Sequence, residues 1–320
     1  MMKWIKLGKI FDPTEYNLPK GCLEFAQSPQ TLIFDNFVRI YFSTREKDET
    51  GKYLSHIAFV DLDRSLMEVL KVSNKSVIKL GSLGNFDEHG IFPLNILRDG
   101  ETIYGYIGGW NRRVSVSVDG SIGLAISEDN GETFKRVGDG PILTASVNEP
   151  FLVGDPFGLK IDNIFHIWYI YGVKWILNES TKEKERVYKI GHAYSHDNIN
   201  FIKTNRNLIS DKLNDTECQA LPSVLHHNGK YHMVFCYREA IGFRKEINKA
   251  YRLGYAYSFD GYEWARDDEK LGLDVSLDGW DSEMLCYPHL FRLDDKIYLL
   301  YNGNEFGRKG FGLALLEGEF

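Results

Sequence analysis

The sequence predicts an all-β chain, a five-bladed β-propeller with four-stranded antiparallel blades, and three observations point to it. A proline entering an apolar run recurs five times, at Pro29, Pro93, Pro156, Pro222 and Pro288, with spacings of 64, 63, 66 and 66 residues. Strand-like segments follow each proline in the same order. The composition, with 18 Tyr, 20 Phe, 6 Trp and 30 Gly against 9 Pro, suits many short aromatic-rich strands joined by tight turns. Self-similarity at a fixed period is the signature of a repeat architecture. Five periods fill the 320 residues, so one domain over 1–320 is expected, with no second one.

The units open near residues 24, 88, 151, 217 and 283, and their first strands read AQSPQTLIF, GIFPLNIL, VGDPFGLKI, QALPSVLHH and CYPHLFRL. A second, aromatic strand follows as VRIYFSTR, TIYGYIGGW, IFHIWYIYG, KYHMVFCYR and KIYLLYNG, then a third as SHIAFVDLD, SIGLAISED, KIGHAYSHD, RLGYAYSFD and GFGLALLEG. Four units add a fourth strand: SLMEVL, ETFKRV, NINFIK and YEWARD. Period-two alternation, β-branched and aromatic content, and Gly, Asn and Asp at the joints mark these as strands. Repeated four-strand units describe propeller blades. A β-sandwich of similar strand content does not explain five equal periods.

The fifth unit stops at Phe320 without a fourth strand. Lys3–Phe11, strand-like and lying before the first unit, is expected to supply it and close the ring, hiding edges that a toroid otherwise exposes. Ser127 to Phe134, SEDNGETF, resembles an Asp-box, with SHDNINF and SFDGYEW as degenerate copies. These read as tight structural hairpins between strands three and four, with no catalytic role.

A formal charge of −7, from 38 basic and 45 acidic residues, argues against a nucleic-acid backbone as main partner. Cys22, Cys218, Cys236 and Cys286 form no CxxC pair, which disfavours a zinc knuckle or a disulfide framework. The start, MMKWIKLGKIFDP, lacks the apolar core of a signal peptide. The most apolar stretch, 164–177, is too short to span a bilayer and contains His166 and Lys174. A reduced, cytoplasmic location is the default expectation, with no cofactor.

In a propeller the first strand of each blade lines the axis, so the residues preceding these strands converge at one mouth. Glu24, Glu88, Glu217 and Glu283 each stand five residues before a proline. The third unit breaks the pattern: Asp155 directly precedes Pro156, with Glu149 nearby. Carboxylates crowded in one pocket raise one another's pKa values. A protonated and an ionised carboxyl side by side are what glycosidic-bond cleavage needs. The plainer alternative is that these carboxylates accept backbone N–H bonds from the neighbouring blade.

The end of strand two and the start of strand three fall on the same face. Arg45, Trp110, Lys174, Arg238 and Asn302, with His192 and Tyr255 near them, are therefore expected at the rim. Gln27 on the first strand of unit one joins the sugar-binding candidates. His89 and His289 flank the carboxylates and are expected to assist a substrate, two isolated histidines being weak evidence for a metal.

On Gly154-Asp155-Pro156 and Thr216-Glu217-Cys218, the chain resembles the five-bladed propeller glycosidases, the superfamily of glycoside hydrolase families 32, 43, 68 and 130. The resemblance implies a transition-state-stabilising role for Asp155, acid/base work for Glu217 and a second carboxylate at Glu88 or Glu283. It implies furanosides such as arabinan and fructans as substrates, or mannosides cleaved by phosphorolysis. One departure stands out: where the superfamily usually carries a further Asp on the first blade, this chain reads Ala26-Gln27-Ser28-Pro29. A carbohydrate-active enzyme that cleaves or transfers a glycosidic linkage is the expectation. A non-catalytic carbohydrate-binding propeller, or an accessory protein of polysaccharide biosynthesis, is the alternative.

Overall fold

The computed structural model describes residues 2–19 and 21–320. Among them, twenty strands fall into antiparallel groups of four. The first group comprises Cys22–Ile33, Phe37–Lys47, Tyr53–Asp63 and Val69–Val72, and the second Gly90–Asp99, Thr102–Arg112, Val118–Ser127 and Lys135–Arg136. The third runs through Val153–Ile161, Ile164–Leu177, Lys184–Ser195 and Ile202–Lys203, and the fourth through Cys218–His227, Lys230–Arg238, Arg252–Ser258 and Ala265–Arg266. The last joins Cys286–Leu293, Lys296–Asn302 and Phe311–Glu317 to Lys3–Phe11, which pairs antiparallel with Phe311–Glu317 as its outer strand. Groups one and two touch through a single parallel bridge, Ser55 to Gly90.

Side-chain alternation explains why the groups stack as blades. Successive residues of a strand point to opposite faces. On the second and third strands of the first blade, Val38, Ile40, Phe42, Ala58, Val60 and Leu62 pack with Phe291, Leu300 and Phe311 of the fifth. The intervening Tyr41, Ile57 and Phe59 face Ile91, Ile103 and Phe134 of the second. Both sheet faces are thus apolar, and each fully buried Leu, Ile or Phe contributes about 1.5–3 kcal/mol.

The repeated proline marks a bulge. In every inner strand the register with its neighbour shifts across the residue–proline pair, between Gln27 and Gln30, Ile91 and Leu94, Gly154 and Phe157, Ala220 and Ser223, and Cys286 and His289. A proline inside a strand is tolerated where the ladder is already interrupted. Ser28, Asp155, Leu221 and Tyr287 take positive φ of 54°, 48°, 46° and 55° just before their prolines, whereas the Phe92–Pro93 bond is cis.

The inner strands are stitched to one another around the axis. Asn95 donates to Gln30 (2.7 Å) and accepts from the Gly158 N–H (2.8 Å). Asp155 accepts from the Leu221 N–H (3.3 Å), and Ser223 Oγ from the Leu290 N–H (2.8 Å). His289 Nε2 accepts from the Thr31 N–H (3.1 Å), returning to the first strand. Asn302 adds a latch between the same two blades, accepting from the Ser28 N–H (2.8 Å) and donating to the Ala26 and Gly310 carbonyls.

The turn motifs act structurally. Ser127 Oγ accepts from the Gly131 N–H, Asp129 Oδ1 from the Thr133 N–H, both at 2.8 Å, and Phe134 is buried behind them. Ser195–Asp197 and Ser258–Asp260 repeat the hydroxyl–carboxylate contact. The four cysteines are buried and free. No helix among the described residues is long and apolar enough to cross a membrane.

Candidate functional site

Two adjoining cavities, about 480 and 340 Å3, open where the inner strands begin, and both are lined by Arg45, Arg186, Arg244 and Tyr287. The larger adds Gln27, Arg238, Glu283, Glu305, Phe306 and Arg308, and the smaller adds Trp110, Asp119, Gly154 and Asp155. Every blade contributes. The bulges aim two of these residues, since Asp155 and Tyr287 both stand at the positive-φ position before a proline.

Asp155 is 8% exposed and has one hydrogen bond, from the Leu221 N–H to Oδ2. Burial pushes its carboxyl up to about 7, opposed by that N–H and by the Arg186 guanidinium. Desolvation disfavours the charged form of an acid, so Asp155 keeps its proton up to about pH 7. Glu283, in contrast, is exposed, and its carboxylate has no cation within ion-pair distance among the described residues. The smaller cavity therefore offers a proton from Asp155, and the adjoining larger one an unpaired Glu283 side chain.

The pocket is rich in guanidinium groups. Arg45 Nε donates to Gln27 Oε1 (2.7 Å), and Gln27 in turn donates to the Phe306 carbonyl (2.5 Å). The Phe25 ring has Arg45 and Arg308 near it, at 5.3 and 5.2 Å from its centroid. Arg238 lies 3.5 Å over Phe243 and donates to the Glu239 carbonyl (2.7 Å) and the Tyr188 hydroxyl (2.9 Å), which pairs with the Tyr251 hydroxyl (2.7 Å). Arg244 pairs with Glu185 (2.6 Å), and Arg308 with Glu305 (3.3 Å) and Glu24 (3.6 Å). Glu305 and Phe306 take consecutive positive φ, 54° and 59°. Such backbone persists only where its surroundings enforce it, and functional sites are where it concentrates.

The expected residues thus divide. Asp155, Glu283, Gln27, Arg45, Trp110 and Arg238 come together around the cavities. Glu217 does not. It is fully buried, accepts the Lys212 and Leu213 N–H groups (2.9 Å each), and is gripped by Gln219 (2.9 Å) and Arg266 (2.6 Å). All its acceptor capacity is spent inside the fourth blade, which corrects the expectation of an acid/base there. Glu88 lies outside the cavity linings and caps its own loop through the Gly84 N–H (3.0 Å).

The histidines are also corrected. His192 is fully buried against Trp168 and His166, with Nε2 3.0 Å from His166 Nδ1. It stands six residues beyond Arg186 on one strand, roughly 20 Å away at about 3.3 Å per residue. Burial lowers its pKa to about 3, and does the same for His289, whose Nε2 is taken by Thr31. His89 stacks beside Trp110 (ring centroids 6.1 Å apart) without lining a cavity. Asn302 serves as the inter-blade latch, and Lys174 pairs with Asp215 (2.6 Å). Among the described residues no cluster of three or more His, Cys, Asp or Glu is arranged to hold a metal ion.

Sequence reasoning missed Arg186, Arg244, Arg308 and Glu305. Arg186 sits on the third strand opposite Trp175 of the second, on the strand from which the rim argument took His192 instead. The other three lie in the loops between strands two and three of the last two blades.

No protein-family model matches the chain. Two curated Mycobacterium tuberculosis proteins, uncharacterized protein Rv1502 of strain H37Rv and uncharacterized protein MT1551 of strain CDC 1551, are each 34% identical over 322 residues, covering 99% of this chain and 100% of theirs. Among solved structures, a glycoside hydrolase superimposes with a TM-score of 0.73 at 14% identity, over 98% of this chain and 92% of that one. The β-1,2-mannobiose phosphorylase of Listeria innocua, in complex with β-1,2-mannobiose, gives 0.72 at 12% identity, over 98% and 97%. A thermostable family-43 glycoside hydrolase gives 0.63 at 14%, over 94% and 91%. At these identities the likeness shows the fold, that of the propeller glycosidases.

Proposed function

The chain belongs to the family of the Mycobacterium tuberculosis proteins Rv1502 and MT1551, and from that premise and its fold we propose that it is a carbohydrate-active enzyme that cleaves or transfers a glycosidic linkage in the axial pocket. The observation that carries the reading is Asp155, a carboxyl that burial raises to about 7, so that a large fraction keeps its proton at neutral pH, in the wall of a sugar-sized cavity. In this reading Asp155 gives its proton to the leaving oxygen as the glycosidic bond breaks. Glu283 serves the anomeric carbon as nucleophile or through a water. Trp110 offers an aromatic face and Gln27 a fixed amide to the ring hydroxyls.

The stereochemical course reports which step Glu283 takes: retention belongs to carboxyl separations of about 5–5.5 Å and inversion to about 6.5–9.5 Å. The test is turnover of a panel of aryl furanosides and pyranosides, and of β-linked mannosides with and without inorganic phosphate. Asp155→Asn and Glu283→Gln should each slow the accepted substrate by about 10²–10⁴-fold. Full activity in either variant removes that residue from the chemistry.

A second reading, sugar binding without catalysis, is favoured by one observation. Ser28 stands before Pro29 where the glycosidases usually carry Asp; its backbone N–H serves the Asn302 latch, and its buried hydroxyl has no partner among the described residues. Saturable sugar binding to the wild-type protein with no turnover of any substrate would select it.

A further inference from the structure

We infer that Lys6, on the amino-terminal strand, is a positioning residue of the axial pocket: it holds Asp281 and thereby sets where Glu283 stands. That role for Lys6 rests on the one proposed for Glu283. A second repeat, which the proline spacing does not show, carries it. In each of the second to fifth blades a buried carboxylate just ahead of the inner strand pairs with a cation on the outer strand of the same blade. The pairs are Asp87 with Arg136, Glu149 with Lys203, Glu217 with Arg266 (2.6 Å) and Asp281 with Lys6 (2.8 Å).

Each cation also reaches back to an earlier point of the segment that leads into its inner strand. Arg136 donates to the Lys79 carbonyl (2.6 Å), Lys203 to the Thr144 carbonyl (2.6 Å), Arg266 to the Ser210 carbonyl (2.7 Å) and Lys6 to Ser276 Oγ (2.9 Å). One side chain thus ties two points of a connection that ends at the pocket mouth to the blade it enters. The first blade is the exception, its outer-strand Lys71 crossing to Glu132 of the second (2.7 Å). In blades two to four the cation follows its inner strand in the chain. In the fifth it comes from the opposite end of the sequence, so ring closure and the shape of the site share one residue.

The surroundings of Glu283 give that residue its consequence. Asp281 is 3% exposed, and its Oδ2 accepts from both Lys6 Nζ and the Tyr301 hydroxyl (3.1 Å). Glu283 follows by two residues, so its Cα lies within about 7.6 Å of that anchor. Its N–H donates to Asn304 Oδ1 (2.7 Å), and its carbonyl accepts from Arg252 (2.9 Å). The carboxylate itself is exposed, with no cation within ion-pair distance among the described residues. Its place is therefore set by the backbone, and the backbone by Asp281, Asn304 and Arg252. Removing the Lys6 amine leaves Asp281 a buried, uncompensated charge, which the segment relieves by moving that carboxylate toward water. A displacement of about 1 Å at a reacting group costs up to about 10²-fold in rate.

Three variants of the full-length protein test the inference in turnover of the aryl glycosides. Lys6→Met removes the amine and keeps the stem, and Lys6→Arg restores a donor. Arg136→Gln breaks the matching pair of the second blade, beside Glu88, which lies outside the cavity linings. Lys6→Met should lower kcat about 10- to 100-fold with KM little changed, Lys6→Arg should regain most of it, and Arg136→Gln should keep wild-type kcat. Trp280, next to Asp281 and stacked on Tyr301 (ring centroids 5.2 Å apart), reports the segment without any substrate. Its fluorine NMR signal in protein labelled with 5-fluorotryptophan, assigned by Trp280→Phe, should move in Lys6→Met and stay in place in Arg136→Gln. Where Lys6→Met does not fold, Lys6→Met combined with Asp281→Asn removes the buried charge as well and takes its place.

Adding Lys6→Met to Glu283→Gln separates positioning from a general loss of stability. No further fall in kcat supports the inference, because residues that act through one group are not additive. The same fall on top of Glu283→Gln, or an equal fall in Arg136→Gln, shows an effect on the whole fold and overturns it. Wild-type kcat in Lys6→Met while Glu283→Gln is slow overturns it too. If Glu283→Gln alone matches wild type, or no glycoside is turned over, the catalytic reading of Glu283 fails and the Trp280 signal decides the positioning. Moved in Lys6→Met and not in Arg136→Gln, it leaves Lys6 as the residue that places the segment; unmoved, it overturns that as well.

Discussion

Asp155→Asn should remove activity and, above neutral pH, stabilise the fold. The unfolded carboxyl titrates at its ordinary value near 3.8, while burial lifts the folded one to about 7. Between these values the folded chain binds more protons than the unfolded chain, so unfolding free energy falls as pH rises through the interval. At about 1.4 kcal/mol per tenfold difference in proton affinity, the loss is on the order of 4 kcal/mol and is complete above pH 7. Asparagine keeps the shape and the carbonyl oxygen that accepts the Leu221 N–H, yet carries no charge to bury. Its stability should therefore be flat in this window. Urea unfolding followed by tryptophan fluorescence should give similar midpoints for the two proteins at about pH 3.5, where the carboxyl is protonated in both states, and a higher midpoint for Asp155→Asn at pH 8. Turnover should fall about 10²–10⁴-fold. A variant less stable than wild type at pH 8 would show that Asp155 is ionised and structurally engaged, and the proton-donor assignment would fail.

Glu217→Gln should act on stability alone. Its carboxylate is enclosed by Arg266, Gln219 and two backbone N–H groups, and breaking such a buried pair is worth about 3 kcal/mol. Thermal melting should drop by several degrees while kcat of the folded fraction is unchanged; a large fall in kcat with an unchanged melting temperature would restore Glu217 to the chemistry. Glu283→Gln should show the opposite pattern, reduced turnover at constant melting temperature, because its side chain is exposed and makes no contact the fold depends on. Gly310→Ala probes the junction of first and last strands. At φ +99° its added Cβ would lie 1.8 Å from the Phe11 carbonyl oxygen, so Lys3–Phe11 should detach and proteolysis should begin at the amino terminus; an unchanged digestion pattern would mean that strand is not essential to the last blade.

The strand plan was legible because it is local. Period-two alternation and the proline recurrence both survive in one dimension, and the bulge that each proline marks sits where the ladder shifts. Lys3–Phe11 was legible as the missing strand of the last blade because an unpaired edge demands a partner. The site was only half legible. Asp155 stood out by breaking a repeat, and breaking it is what puts a carboxyl at the pre-proline position.

Glu217 and Glu283 occupy the same place in their repeats and differ in fate for a reason outside the repeat. Arg266, on the outer strand of the fourth blade and 49 residues away, captures Glu217. The fifth blade's outer strand is Lys3–Phe11, and its Lys6 binds Asp281 (2.8 Å), leaving Glu283 free. Arg186, Arg244 and Arg308 escaped notice because they sit on loops and at a strand end whose positions are set by hairpin length rather than by the period. His192 and Asn302 carried the right chemistry at the wrong depth, one far down a long strand and the other consumed by the latch between first and last blades.

The account turns on one proton. Carbon-13 NMR of the protein labelled at aspartate side-chain carboxyls, with Asp155→Asn to assign the resonance, measures its titration directly and without knowledge of the substrate. The account predicts a carboxyl that ionises with a midpoint near 7 and shifts when a sugar enters the pocket. A midpoint near the ordinary aspartate value, unmoved by the sugar, would contradict it.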